Sequence, residues 1–505
     1  MTSAFAKSIG AIPARARRAY RVLEIVPGAL VWTTLLASVA VSLFWPIVAI
    51  GFIVFFDVYW LVRILYIMSF VLLAFHRYRQ ALKHNWRQEI ESIPHWDDLW
   101  HLIVIPTSTE PKAVLEQTLE SLTKIDYRLD RCFVVLATEA RTQDVHQAEY
   151  QELTERFSSR FGNFIWTVHP ANVPGEVIGK GSNISWAGHK VKEILDAQGI
   201  QYSNVIVSTF DADSIAHPQY FAYLAYTFLK HPDRQHSSYQ PIPLFHNNVW
   251  ETLPWMRVVS YSTTFWLMGD TQRPDRLFTF SSHSMPFQAL VDVGFWQTDV
   301  VSEDSRIFLQ CLIQYDGHYQ VTPLYIPISM DAVEAPSWWQ GMKNQYKQIR
   351  RWAYGVENFP FMVWNFLHDP AMPTSTKIRY TWYQLEGVYS WAVAPMLITL
   401  MGWLPYQANR TLLNGSILAH NAPSVLQVLM LSAMIGAIIS ALLSMIMLPE
   451  RPHHVPRWQW LVMGLQWLLL PVTMIIFGSI PAVESQTRLM LGKYLGFWVT
   501  DKQRR

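Results

Sequence analysis

The chain has 505 residues, with 23 tryptophans, 26 phenylalanines, only 15% charged side chains and a formal net charge of +2. Near neutrality without a clustered basic face argues against nucleic acid as a partner, and the two cysteines, Cys132 and Cys311, lack metal-ligand spacing and read as packing residues. A chain this long, aromatic and poor in charge has room for two or three domains and points toward a membrane.

After an arginine-rich start (Arg15, Arg17, Arg18, Arg21), residues 28–56 carry no charge, and the apolar character resumes as far as Phe75. That is too long for one span of roughly 20 residues and suits two, hinged near Trp45 and Pro46. A cleavable signal peptide fits poorly, because the first apolar run continues straight into the second. Arg77, Arg79, Lys83 and Arg87 follow, so both flanks of the hairpin belong in the cytosol. Residues 1–26 then form a basic cytosolic tail and 27–76 two transmembrane helices. Asp57 and Arg63 fall inside the second apolar run, where pairing with each other or with a neighbouring helix is expected.

The stretch from about residue 77 to 352 reads as a cytosolic domain. "HLIVIP" is a strand, "KAVLEQTLESL" a helix, "CFVVLAT" a second strand followed by a polar helical run, and "NFIWTVH" a third strand. "SNISWAGHKVKEIL" is helical and "NVIVSTF" is the fourth strand. Strands alternating with helices predict an α/β fold, a mostly parallel sheet with helices on both faces. Ligands of such sheets bind beyond the carboxyl ends of the strands.

The fourth strand ends in "DADSI", with Asp211 and Asp213 one residue apart. Two carboxylates this close stay ionised when a cation or strong donors sit beside them, which suggests a divalent metal. Alternatively, Ser214 caps a helix running through "HPQYFAYLAYTFLK", whose first turn favours acids. Taken alone the capped helix is the commoner outcome; the position at a strand's carboxyl end adds weight to the metal.

Downstream, "VVSEDSRIFLQCLIQ" puts Ser302, Glu303 and Asp304 at the start of an amphipathic helix, where acids also suit the dipole. "QYKQIRRWAYG" holds Gln348, Arg351 and Trp352, and by composition is equally a basic aromatic helix on a membrane surface. Residues 353–384 are expected to form interfacial helices, and 385–482 a membrane region with charge-free stretches at 387–409, 417–449 and 458–483. Three crossings would leave the C-terminus outside, yet Arg488, Lys493, Lys502, Arg504 and Arg505 favour the cytosol. The conflict falls on the last stretch, with Pro471 and Pro481, which is expected to dip in and turn back. Residues 483–505 are an amphipathic tail containing "FWVTDK".

The order of these motifs carries more than any one of them. Asp-x-Asp after the fourth strand, Glu-Asp about ninety residues on, Gln-x-x-Arg-Trp about forty-five beyond, and Phe-x-Val-Thr-x-Lys at Phe497, Val499, Thr500 and Lys502 form one series. This series resembles the membrane-embedded family 2 glycosyltransferases, which include cellulose, chitin and hyaluronan synthases. The resemblance implies a Rossmann-like nucleotide-diphospho-sugar transferase domain of the GT-A type, cytosolic, with N- and C-terminal transmembrane helices in a multi-pass plasma-membrane protein. It implies inverting transfer of a sugar from a nucleotide-diphosphate donor, a UDP-sugar foremost, to a polysaccharide.

On that resemblance Asp213 holds Mg²⁺ or Mn²⁺, Asp211 faces the nucleotide and Asp304 is the base. Arg351 adds charge near the diphosphate, and Gln348 and Trp352 shape the acceptor entrance. Lys180 and Lys502 contact the donor, and Ser282 and His283 fall where the family lines the acceptor site. "PTSTE" departs from the family by placing Ser108 where an aromatic residue would stack, and "LATEAR" offers Glu139 where an aspartate pair is usual; Glu139 still accepts from a uracil N–H. A single-addition enzyme acting on a membrane lipid and an inactive membrane scaffold are the other readings. A metal-dependent hydrolase would show a denser set of His and Asp ligands.

Overall fold

A computed structural model of the protein describes residues 12–13, 16–335, 337–408 and 415–496. The chain opens with a helical hairpin, α1 (Arg17–Phe44) and α2 (Pro46–Lys83). It breaks at Trp45 because Pro46, lacking an N–H, suits the first position of a new helix. After α3 (Trp86–Glu91), strands and helices alternate as β1 (Trp100–Pro106), α4 (Lys112–Thr123), β2 (Cys132–Glu139), α5 (Ala140–Phe157), β3 (Asn163–His169), α6 (Lys180–Gln198) and β4 (Val205–Thr209). Next come β5 (Ile215–Ala216), α7 (Tyr220–Lys230), β6 (Ser237–Phe245), α8 (Pro254–Asp270), β7 (Ser284–Pro286), α9 (Phe287–Asp292), α10 (Glu303–Gln314) and β8 (Gln320–Met330). Helices α11 (Trp338–Ala353), α12 (Asn358–His368), α13 (Thr374–Ala408), α14 (Ile417–Ile446) and α15 (Gln459–Met490) complete the described chain.

Among the described residues, eight strands form one sheet in the order β3-β2-β1-β4-β7-β6-β8-β5. It is parallel from β3 to β4, whereas β7 lies antiparallel between β4 and β6, β8 runs parallel to β6, and β5 runs antiparallel to β8. The sheet is therefore mixed beyond its first four strands.

Successive residues of β1 serve opposite faces, which is why its apolar run is unbroken. Ile103 and Ile105 pack with Leu115 and Leu119 of α4, Leu153 of α5 and Phe221 of α7. Leu102 and Val104 pack on the other face with Ile184 and Val191 of α6, Phe308 of α10 and Phe361 of α12.

Five helices among the described residues are long and apolar enough to cross a membrane: α1, α2, α13, α14 and α15. Four of them have one end on the α/β domain. Tyr20 of α1 meets Trp364 of α12, with ring centroids 5.9 Å apart, and Arg77 of α2 donates to the Tyr325 hydroxyl at 2.7 Å. Tyr383 of α13 donates to Asp275 at 3.0 Å, and the carbonyl of Pro449, just past α14, accepts from the Trp250 indole at 3.2 Å. Their other ends meet one another, as where Ile50 of α2 packs with Ala419 and Ala422 of α14 and with Tyr406 of α13.

The fifth, α15, touches the domain at both ends. Its Trp460 lies 5.4 Å from Trp250, and Gln466 accepts from Arg257 at 2.8 Å. Further along, Glu484 accepts from Arg350 of α11. Between these contacts α15 winds through a 3-10 turn (Gln466–Leu469) and a π turn (Met474–Ser479), beside Pro471 and Pro481. Arg63 of α2 pairs with Glu386 of α13, not with Asp57, which is buried.

Candidate active site

The residues after β4 do not run into a helix. Ile215 and Ala216 pair with Ser329 and Ile328 of β8, so α7 begins only at Tyr220. Ser214 consequently caps nothing and instead shares a 3.0 Å hydrogen bond with Ser282. This pairing carries Asp331, the residue after β8, next to Asp213. The Asp331 N–H donates to Asp213 Oδ2 at 2.9 Å, and Asn247 Nδ2 donates to Asp331 Oδ1 at 3.1 Å and to the Asp213 carbonyl at 3.0 Å.

Lys180, the first residue of α6, reaches across from the neighbouring strand connection. Its Nζ lies 2.8 Å from Asp211 Oδ1, 2.8 and 3.0 Å from the two oxygens of Asp304, and 3.8 Å from Glu303 Oε1. Burial pulls the Lys180 pKa down, but the charges of Asp211, Asp304 and Glu303 outweigh it and hold the ammonium's pKa above its ordinary value. Ser281 Oγ donates to Asp211 Oδ2 at 2.5 Å, which fixes the other side of that carboxylate.

Asp304 stands on the first turn of α10. The loop before it is held by Glu357, whose Oε1 accepts from the N–H of Val301 (3.0 Å), the N–H of Ser302 (3.1 Å) and the Ser302 hydroxyl (2.7 Å). Thr279 Oγ1 donates to the Asp304 carbonyl at 2.5 Å. Helix α11 closes the far side: Gln348, Arg351 and Trp352 all line the pocket. The Trp352 ring lies 6.0 Å from Phe245 and 5.7 Å from Phe280, edge-on to the latter.

Glu139 sits at the carboxyl end of β2 and is clasped by Arg141, which also donates to Ser108 Oγ at 3.1 Å. Glu110 gathers the turn after β1, accepting from the N–H groups of Ser108 (2.7 Å) and Thr109 (3.1 Å).

One pocket thus gathers Glu139, Lys180, Asp211, Asp213, Asp304, Gln348, Arg351 and Trp352, at the carboxyl ends of β1, β2 and β4. His283 is not among the residues lining it. The imidazole is 1% exposed, with Nδ1 set 3.0 Å from the Phe280 carbonyl. Burial foremost pushes its pKa down to about 4, with Asp304 pulling up and Lys180 down, so it is a neutral interior group rather than an acceptor contact. Ser282 is buried behind the pocket in a left-handed conformation. Lys502, with Phe497, Val499 and Thr500, lies outside the described residues.

Asp331, Ser281 and Glu303 also line the pocket, beyond the residues expected from the sequence. Glu303 had a signal in its adjacency to Asp304. Asp331 had none, because only the β5–β8 pairing brings it to Asp213.

A mixed α/β sheet, an acid-lined pocket beyond its strand ends and apolar helices at both ends of the chain describe an α/β enzyme with candidate membrane spans. The chain belongs to the glycosyl transferase family group 2, whose model matches residues 206–480, more than half of its length. No curated protein matches it. Among solved structures it is similar to a mannosyltransferase from Pyrobaculum calidifontis in complex with GDP-Man and Mn²⁺, at 14% identity and a TM-score of 0.43, over 81% of this chain and 99% of that one. It is also similar to residues 1–349 of S. aureus TarS, at 12% identity and a TM-score of 0.36, over 80% and 95%.

Proposed function

We propose that this glycosyltransferase is a polysaccharide synthase of the cellulose, chitin and hyaluronan synthase kind, anchored in the plasma membrane with its α/β domain in the cytosol. It moves a sugar, with inversion, from a nucleotide-diphosphate donor, a UDP-sugar foremost, to a growing glycan. The observation that carries the reading is the meeting of Lys180, Asp211, Asp213, Asp304 and Arg351 in one pocket, roofed by a helix that packs on the apolar helix α15.

Asp304 takes the proton of the acceptor hydroxyl as that oxygen attacks the anomeric carbon. The bond from that carbon to the diphosphate oxygen breaks on the opposite face, and the nucleoside diphosphate departs with the bonding pair. Lys180 and Arg351 offset the charge that develops on the leaving group. In the donor-free protein Lys180 is engaged by Asp211 and Asp304, so an arriving diphosphate competes for its ammonium. Glu139 is set to accept from the base, and Trp352 offers a ring to the acceptor sugar.

Among the described residues no three His, Cys, Asp or Glu side chains lie close enough to cage a metal by themselves. Asp213 suits instead a hard divalent ion that takes one or two carboxylates and completes its shell with donor phosphates, with Asp211 facing the nucleotide. Such an ion, Mg²⁺ or Mn²⁺, would neutralise the departing diphosphate.

A second reading, single addition to a membrane lipid, has its own support. Only four of the five described apolar helices run between the α/β domain and the far side, which leaves few to line a glycan conduit. The two are separated by incubating the purified protein with labelled UDP- and GDP-sugars and Mg²⁺ or Mn²⁺, then measuring freed nucleotide and product length. Long polymer that disappears with EDTA is expected; single additions to lipid sink the synthase reading, and turnover unaffected by EDTA sinks the metal.

A further inference from the structure

Helix α11 has two working faces. At 100° per residue, Gln348, Arg351 and Trp352 point to one side, toward the pocket, while Tyr346, Arg350 and Ala353 share the other. The second face rests on the last turns of α15, and Glu484 is the hub. It accepts from the Tyr346 hydroxyl at 2.6 Å, from Arg350 Nη1 at 2.8 Å and from Arg488 Nε of its own helix at 2.7 Å. One residue on, Ser485 Oγ donates to the Arg350 carbonyl at 2.7 Å, and Ala482 packs in a cluster with Ala353.

The same turns of α15 are fixed to the long apolar helices. Gln486 Nε2 donates to the Val388 carbonyl of α13 at 2.8 Å. Trp32 of α1 donates to Thr487 Oγ1 at 2.8 Å, and Arg21 donates to the Leu489 carbonyl at 2.7 Å. Glu484 thus joins a platform anchored on α1 and α13 to the helix that supplies Arg351 and Trp352. Arg350, adjacent to Arg351, is spent on this joint and not on the pocket.

We infer that Glu484 is a positioning residue for glycosyl transfer: through Tyr346 and Arg350 it sets the rotation of α11 that presents Arg351 and Trp352 to the reacting groups. The inference rests on the proposed role of Arg351 at the diphosphate. A helix turned about its axis moves a guanidinium at its rim by an ångström or more, and a misplacement of that size costs on the order of 100-fold in rate.

The test uses the full chain in nanodiscs, following UDP release from UDP-glucose and UDP-N-acetylglucosamine and GDP release from GDP-mannose, with thermal unfolding measured alongside. Glu484→Gln is expected to lower kcat about tenfold or more while donor KM and Tm hold. Tyr346→Phe, which removes one hydroxyl and almost no volume, should reproduce part of that loss, and Glu484→Asp should restore part of it. Glu484→Gln combined with Arg350→Met should lose no more than the worse single variant, because both break one joint. Unchanged kcat, losses that simply add, or a kcat that falls only together with Tm would overturn the inference. Arg351→Met separates the two levels: if it spares turnover the reading of the pocket fails, whereas if it abolishes turnover and Glu484→Gln does not, the positioning role alone fails.

Discussion

Glu303 and Asp304 are neighbours in sequence, yet their surroundings treat them differently. Glu303 is 3% exposed, and its pKa rises to about 8, from burial first and the charge of Asp304 second, against the pull of Lys180 and Arg351. Burial thus favours the protonated form of Glu303 beside Asp304, the carboxylate we assign as base. The raised value sets a sign for stability. The protonated folded form is favoured, so the contribution of Glu303 is full below the ordinary value of 4.5 and is lost as pH rises toward 8. Glu303→Gln carries no such proton, and its Tm should fall less than the wild-type Tm between pH 5 and pH 8, measured by thermal unfolding in steps. The same variant should keep transfer within a few-fold, whereas Asp304→Asn should lose roughly 10²–10⁴-fold in kcat. The reverse pattern would make Glu303 the base. Asp211, Asp213, Asp304, Arg351 and Trp352 stand out in the sequence through the order of their motifs and the family resemblance it carries, and the structure brings all five into one pocket. The raised pKa of Glu303 was not legible there, since its burial rests on the distant Gly181 of α6, and of the two roles open to His283, acceptor contact or core hydrogen-bonding group, its burial fits the second.

At the level of elements, legibility followed locality. The runs "HLIVIP" and "CFVVLAT" mark β1 and β2 because buried parallel strands are apolar on both faces. Strands β6 and β8 went unread: Pro241 and Pro243 interrupt one, Pro323 and Pro327 the other, and a proline cannot donate to a ladder. They pair nonetheless, with an irregularity between Gln240 and Ile242 that absorbs the misfit. Strand β5 is two residues long, and only its partner β8 makes it a strand. Helix contacts also hide in single glycines. A Cβ on Gly28 of α1 would lie 2.7 Å from the Gln486 carbonyl oxygen and 2.7 Å from the Met490 Cβ, both on α15. Small residues let helices approach this closely. Gly28→Ala should therefore force α1 and α15 apart, costing about 1–3 kcal/mol and reducing transfer, because α15 also seats α11. Gly387→Ala in α13, where a Cβ meets nothing within 4 Å, is the matched control. Equal thermal stability and activity in the two variants would show that the α1–α15 contact does not matter.

The whole molecule turns on which side each end of the chain lies. Arg17, Arg18 and Arg21 lie in the first turns of α1, while Arg77, Arg79 and Lys83 close α2 and Arg87 follows it, so positive charge flanks the hairpin on the side of the α/β domain. Helices α13 and α14 repeat the excursion, leaving the domain at Tyr383 and returning by Pro449. A fifth full crossing would carry Arg488 and Lys493 to the opposite side. The contacts of α15 argue otherwise, since Trp460, Gln466 and Glu484 all meet the α/β domain. On these contacts we propose four crossings and a fifth apolar helix lying along the α/β domain, with the C-terminal end of α15 on the domain's side. Both native cysteines are buried, so introduced ones can be read against a quiet background. In intact cells a membrane-impermeant maleimide should label Gln407→Cys, near the far end of α13. Lys190→Cys on the α/β domain and Lys493→Cys beyond α15 should react only after permeabilisation. Labelling of Lys493→Cys from outside would make α15 a true crossing and remove the basis for the joint at Glu484.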